Sequence, residues 1–155
     1  MKTALPEPEI CNCLAIRQAA RHVSQLYDEC IAPSGLRGSQ FSILARLKRH
    51  GATTINALAR DLVMDRTTLG RNILPLEREG LVAVRPGSAD RRSKEVHLTE
   101  AGMARFEAGR VRWEEAQGRF TQAFGDARAA ELRRLMRAVT TTDFADDTVA
   151  EPKQG

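Results

Sequence analysis

The stretch from residue 55 to residue 99 constrains the fold most, because its short elements follow one another with almost no connecting chain. Ile55, Leu58, Ala59 and Leu62 recur at helical spacing, which predicts a short helix with one inward face. Val63-Met64 interrupts the pattern and Asp65 follows; a carboxylate there accepts from the free amides of a helix start. Leu69, Ile73 and Leu76 give the next helix its core face over residues 66–79, and Gly80 ends it by supplying a left-handed residue at no steric cost. Two β-prone pieces, residues 81–84 and 94–98, flank Pro86-Gly87-Ser88-Ala89-Asp90. Val96 and Leu98 alternate with Glu95 and His97, as a half-buried hairpin strand requires. Two helices joined tightly and followed by a hairpin make a winged helix-turn-helix.

Longer helical patterns flank this unit. Over residues 10–32 the stripe Cys13, Ile16, Ala20, Val23, Tyr27 and Cys30 marks one helix, broken by Pro33-Ser34-Gly35. A second helix starts near Ser39, carries Phe41, Ile43, Leu44 and Leu47, and ends at His50-Gly51. Thr53-Thr54 suits either a brief strand or a cap for the helix at Ile55. Thr99 caps a long helix, with Met103, Phe106, Trp113, Phe120 and Phe124 on one side, reaching about residue 125. A final helix over residues 126–144 carries Leu132, Leu135, Met136 and Val139. The expected fold class is therefore mainly α with a small β-hairpin wing. The large apolar groups from Trp113 to Met136 are too many for one thin helical layer to hide, so packing against the 10–32 stripe of a second subunit is expected.

Composition agrees with a globular chain: of 155 residues, 42% are hydrophobic and 28% charged. Length suits one domain. No apolar run approaches the roughly 18 residues of a bilayer span, and residues 1–8 lack the apolar core of a signal peptide, so a cytoplasmic location with no membrane partner is expected. The net charge of +4 permits a polyanionic partner without demanding one. Its distribution says more: Arg85, Arg91, Arg92 and Lys94 stand against Asp90 alone, while residues 143–151 are acidic. Cys11, Cys13 and Cys30 are an odd count in a reducing compartment, hence free thiols. With His22, His50 and His97 they match no ligand spacing, so neither metal nor cofactor is expected.

The run from Asp65 to Val82, with its Leu76-Glu77-Arg78-Glu79-Gly80-Leu81-Val82 exit, resembles the recognition helix of the MarR family. Asp90-Arg91-Arg92 followed by Leu98-Thr99-Glu100-Ala101-Gly102 has that family's wing signature, D-x-R and then L-T-x-x-G. Tyr27, Gly35-Leu36 and Gln40-Phe41 are similar to its first two helices, so the resemblance spans residues 10–144. It implies a sequence-specific regulator of transcription, repressor by usual mode and not an enzyme, that binds double-stranded DNA as a homodimer on a pseudo-palindromic operator. The corresponding division is a flexible N-terminus (1–9), a helical dimerisation region (10–35 and 100–144), a winged helix-turn-helix DNA-binding lobe (36–99) and a disordered tail (145–155).

With Leu69, Ile73 and Leu76 inward, Arg66, Thr67, Gly70 and Arg71 are left outward, with Thr68 and Asn72 at the margin. Arg71 suits a bidentate contact to guanine, and the threonines suit phosphates or thymine methyls. Pro75 removes a backbone donor and should bend the helix near Arg71. The resemblance directs Arg92 to the minor groove, with Arg91 beside it, Asp90 as brace and Lys94 on phosphate. The plainer alternatives are a solvated helix face and an Asp90–arginine salt bridge that only stiffens the turn.

Two signals are open. Cys13 falls where the organic-hydroperoxide-sensing branch of the family keeps its reactive cysteine, and Arg17, one turn on, could supply positive charge to a thiolate. That branch's tyrosines are replaced here by Arg17 and Gly38, no cysteine lies in the C-terminal half, and Cys11 and Cys13 point apart if both lie within one helix. Cys13 as a small buried hydrophobe is the alternative. The other signal is a small aromatic acid between the dimer layer and the DNA-binding lobe, paired with Arg17 and Arg21. Either would change the separation of two recognition helices. Competing classes are a thiol enzyme reacting with peroxide through Cys13, which lacks a Cys-His-acid set, and an interaction module that never meets DNA.

Overall fold

The computed structural model describes residues 8–145. The flexible start and the disordered tail expected at the two ends therefore lie outside the described residues, apart from a 3-10 turn over Pro8–Ile10 and Ala145. In order come α1 (Asn12–Ile31), α2 (Gly38–His50), β1 (Thr53–Thr54), α3 (Ile55–Asp61), α4 (Arg66–Arg78), β2 (Val82–Pro86), β3 (Lys94–Leu98), α5 (Glu100–Phe124) and α6 (Asp126–Thr141). Two compact units divide at Arg119 and Phe120. No described helix is long and apolar enough to cross a membrane.

In the first unit the core is built where the sequence patterns converge. Ile31, Ile43, Leu44, Leu58, Leu69, Leu76 and Val96 are each 0% exposed, drawing on α1, α2, α3, α4 and β3. Each such side chain contributes about 1.5–3 kcal/mol by leaving water. β3 is the central strand of a three-stranded antiparallel sheet in the order β1-β3-β2, with Val96 opposite both Thr53 and Val84. Thr53-Thr54 serves both expected purposes, since β1 pairs with β3 while the Thr54 hydroxyl accepts from the amide of Ala57 at 3.1 Å. β2 reaches further than expected, to Pro86 opposite Lys94; on an edge strand a proline costs no interior ladder bond.

The bend anticipated at Pro75 does not interrupt α4, which runs from Arg66 to Arg78 with the proline inside. Ile73 and Leu76, at 3% and 0% exposure, pin the helix to the core on both sides of it, and tertiary packing outweighs one missing backbone bond. α6 ends at Thr141, short of the expected 144, with Thr142 in an extended conformation. In the second unit Phe120 and Phe124 meet at 5.3 Å, Arg128 lies 4.3 Å over the Phe124 ring, and Ala129 is 1% exposed.

The ends of α3 and α4 are the same device with different residues. After α4, the amide of Leu81 reaches the carbonyl of Leu76 and that of Gly80 reaches Glu77, with Gly80 at φ +71°. After α3, Met64 reaches Ala59 and Val63 reaches Arg60, with Val63 at φ +52°. Both are Schellman closures, which need a left-handed residue in that place. A β-branched residue is strained there. Val63 is 72% exposed and has few contacts to lose. Val63→Gly should therefore stabilise the protein by about 1 kcal/mol, the relief of strain exceeding the entropy glycine adds to the unfolded chain. The check is a rise in the thermal midpoint of roughly 2–4 °C; an unchanged or lowered midpoint would show the turn to be unstrained.

Candidate nucleic-acid interface

α4 starts where its sequence says it should. Asp65 is its N-cap, with Oδ1 accepting from the Thr68 amide at 2.8 Å and Oδ2 from the Thr68 hydroxyl at 2.7 Å. These bonds to Thr68 hold the Asp65 carboxyl below its ordinary pKa, so the cap stays ionised at neutral pH and complements the positive end of the helix. Leu69 at 0% and Ile73 at 3% exposure face the core, so Arg66, Thr67 and Arg71 face solvent and Gly70 is half-buried. The two marginal residues differ from these. The Thr68 hydroxyl is given to Asp65, and half-buried Asn72 donates through Nδ2 to the Thr68 carbonyl at 2.9 Å while Oδ1 accepts from the Ser39 hydroxyl at 2.9 Å.

The wing is held by short-range hydrogen bonds. Asp90 Oδ1 accepts from the Arg92 amide at 2.9 Å, and its carbonyl accepts from the amide and hydroxyl of Ser93 at 3.1 and 2.7 Å. The Gly87 amide closes the loop onto the Ser93 carbonyl at 2.8 Å. Asp90 therefore braces the turn through backbone amides, and among the described residues no Asp90–arginine ion pair occurs. This leaves Arg91, Arg92 and Lys94 exposed. A second tie, missed in the sequence, joins the amide and hydroxyl of Ser88 to Glu95 Oε1, both at 3.0 Å. Those two bonds, with a smaller contribution from His97 at 3.3 Å, keep the Glu95 carboxyl below its ordinary pKa. The only available signal was strand alternation, which marks Glu95 as outward but names no partner.

The L-T-x-x-G signature has a structural cause. Thr99 donates its amide to the Leu81 carbonyl and its hydroxyl to the Gly80 carbonyl at 2.6 Å, while that hydroxyl accepts from the Gly102 amide at 3.0 Å. The start of α5 is thereby stitched to the exit of α4, and Gly102 lies so near that a Cβ on it would stand 1.9 Å from the Leu81 oxygen.

The sensing candidates separate. Cys13 is exposed within the single chain. Cys11 is not within α1 but caps it, its Sγ accepting from the Leu14 amide at 3.4 Å, so the two thiols do not lie within one helix. Arg17 is exposed, and Arg21 lines a groove shared with Asp28 and Glu29, whose carboxylates oppose an anion. A different cleft of about 670 Å³ lies between α2 and α5. Phe41, stacked with Phe106 at 5.3 Å and with Trp113 at 6.3 Å, lines it together with Leu62, and Arg46, Lys48, Arg49 and Arg110 also border it. Arg46 pairs with Asp61 at 2.5 Å, and its buried Nε has no hydrogen-bond partner. The sequence reading missed these four cations, because helix periodicity alone marks them only as outward.

Comparison with known proteins agrees with this geometry. The model of the MarR family matches residues 36–94. YwoH of Bacillus subtilis, a helix-turn-helix-type transcriptional regulator, is 30% identical over 122 residues, covering 79% of this chain and 88% of that one. BadR of Rhodopseudomonas palustris, a transcriptional activatory protein, is 33% identical over 99 residues, 61% of this chain and 57% of its own length. The crystal structure of the Mycobacterium tuberculosis transcriptional regulator MosR in complex with DNA superposes with a TM-score of 0.75 at 36% identity, covering 84% of this chain and 93% of that one. The matched relatives are transcription regulators, not enzymes, and this chain belongs with them to the MarR family.

Proposed function

We propose that this protein is a homodimeric repressor that binds a pseudo-palindromic operator and is released by a small-molecule signal. One observation carries the reading of the DNA contact: α4 commits Leu69, Ile73 and Leu76 to the core and leaves Arg66, Thr67 and Arg71 in solvent. A helix so divided suits the major groove. Arg71 reads a guanine, Arg66 and Thr67 meet phosphates or bases, Thr68, whose hydroxyl proton is given to Asp65, is left its methyl for a thymine, and Arg91, Arg92 and Lys94 of the wing serve the flanking minor groove and backbone. Dimerisation is supported by apolar side chains left uncovered within each unit. Ile16 and Val111 are 40% and 57% exposed in the first; Leu135, Met136 and Val139 are 44%, 38% and 37% exposed in the second. A second copy would bury them and present two recognition helices about one DNA turn apart.

For the signal, the cleft between α2 and α5 suits an aromatic acid better than Arg17 and Arg21 do. Its volume is in the range of small-molecule sites, its stacked rings line the cleft beside an aromatic ligand, and Arg49 at its border suits a carboxylate, whereas Arg46, Lys48 and Arg110 already pair with Asp61, Glu107 and Glu114. Oxidation is a second reading, favoured by the exposure of Cys13.

The test is selection of bound sequences from random DNA, repeated with benzoate and with an organic hydroperoxide. The expected product is an inverted repeat with half-site centres roughly 10 base pairs apart, lost on adding the true signal; no enriched sequence would end the proposal. On the selected site, Arg92→Ala should weaken binding evenly across sequences and lower the salt slope by about 1. An effect confined to one base pair would instead make Arg92 a direct reader.

A further inference from the structure

Asn72 lies one residue beyond Arg71 on α4, yet both ends of its amide are turned to the protein. Its Nδ2 donates to the Thr68 carbonyl, which only accepts, and that fixes the orientation of the amide. Its Oδ1 is met by the Ser39 hydroxyl at 2.9 Å, across 33 residues of sequence. Reading adenine would require the same two atoms to point outward together. Ser39 stands in the first turn of α2, and that turn is itself tied to α1 by the Gly38 amide on Asp28 Oδ1 at 2.7 Å. Further along, Glu79, just past the end of α4, accepts from Arg105 of α5 at 3.1 Å. α4 is thus fastened by polar bonds to the surrounding helices near its middle and just beyond its end.

We propose that Asn72 is a positioning residue that reads no base: with Ser39 it latches the recognition helix to the start of α2 at the angle DNA binding requires. This rests on α4 being the base-reading helix and assigns a role within it. Losing the latch leaves Arg71 its chemistry but lets the helix settle in more than one position, so every sequence loses affinity together.

The experiment is a double-mutant cycle in the full chain, on the operator selected by the wild-type protein. Ser39→Ala should weaken binding about five-fold, the loss expected for one hydrogen bond, and Asn72→Ala, which also removes the bond to the Thr68 carbonyl, at least as much. The double variant should be no weaker than Asn72→Ala. Ser39→Thr, which keeps the hydroxyl, should retain wild-type affinity, and the preferred sequence should be the same for all. The latch is overturned if the two losses multiply in the double variant, or if Asn72→Ala changes the preferred base at one position while Ser39→Ala does not. If the wild type selects no sequence, the base-reading assignment of α4 falls first and takes this role with it.

Discussion

Replacing Arg71 by alanine should abolish most of the protein's ability to tell its operator from a site altered at one guanine, while leaving the fold intact. The side chain is exposed, and no described residue hydrogen-bonds or ion-pairs with its guanidinium, so thermal stability should change by no more than about 0.5 kcal/mol. On DNA the planar fork matches the O6 and N7 acceptors of guanine, worth about 1–3 kcal/mol of discrimination. The ratio of operator to altered-site affinity should therefore collapse by roughly 10- to 100-fold. Arg71→Lys should not rescue it, because an ammonium lacks the two parallel donors. Competition binding at fixed salt measures the ratio directly, since salt moves both affinities together. An unchanged ratio would mean that the base-reading face has been misassigned.

Gly102→Ala should destabilise the protein severely for the addition of one methyl group. The added Cβ would stand 1.9 Å from the Leu81 carbonyl oxygen and 2.8 Å from Leu98 Cδ1. The Leu98 methyl can yield, but the Leu81 oxygen cannot move freely. It accepts from Thr99, and the Leu81 amide is held by Leu76 in the closure of α4. Moving it disturbs the end of α4, the start of α5 and the edge of the sheet together. Overpacking against fixed backbone costs about 3 kcal/mol, a fall in the thermal midpoint of roughly 6–12 °C. A fall of under 2 °C would show that α5 slides aside at little expense.

Much of the fold was legible in residue order because its signals are local. Asp65 caps α4 with its own neighbours, Gly80 ends it, and Val96 alternates with Glu95; each needs only a few residues of context. The outward set of α4 followed from the same periodicity, since Leu69, Ile73 and Leu76 leave Arg66, Thr67 and Arg71 no other side. α4 continues through Pro75 to Arg78, as its periodicity predicts, because Ile73 and Leu76 are held from outside the helix. The limit was reached wherever a partner came from far along the chain. Ser39 on Asn72, Ser88 on Glu95 and the rings of Phe41, Phe106 and Trp113 in one stack leave no periodic trace.

The sequence by itself determined the order and type of the main elements and which charged side chains of α4 are left to solvent, because backbone preference and burial period are written in neighbours. Only the tertiary structure decided that Asn72 faces Ser39, that four cations border the aromatic cleft between α2 and α5, and that Gly102 must be bare. Those facts depend on distances between elements remote in the chain, and such distances are set by packing of the whole core rather than by any local preference.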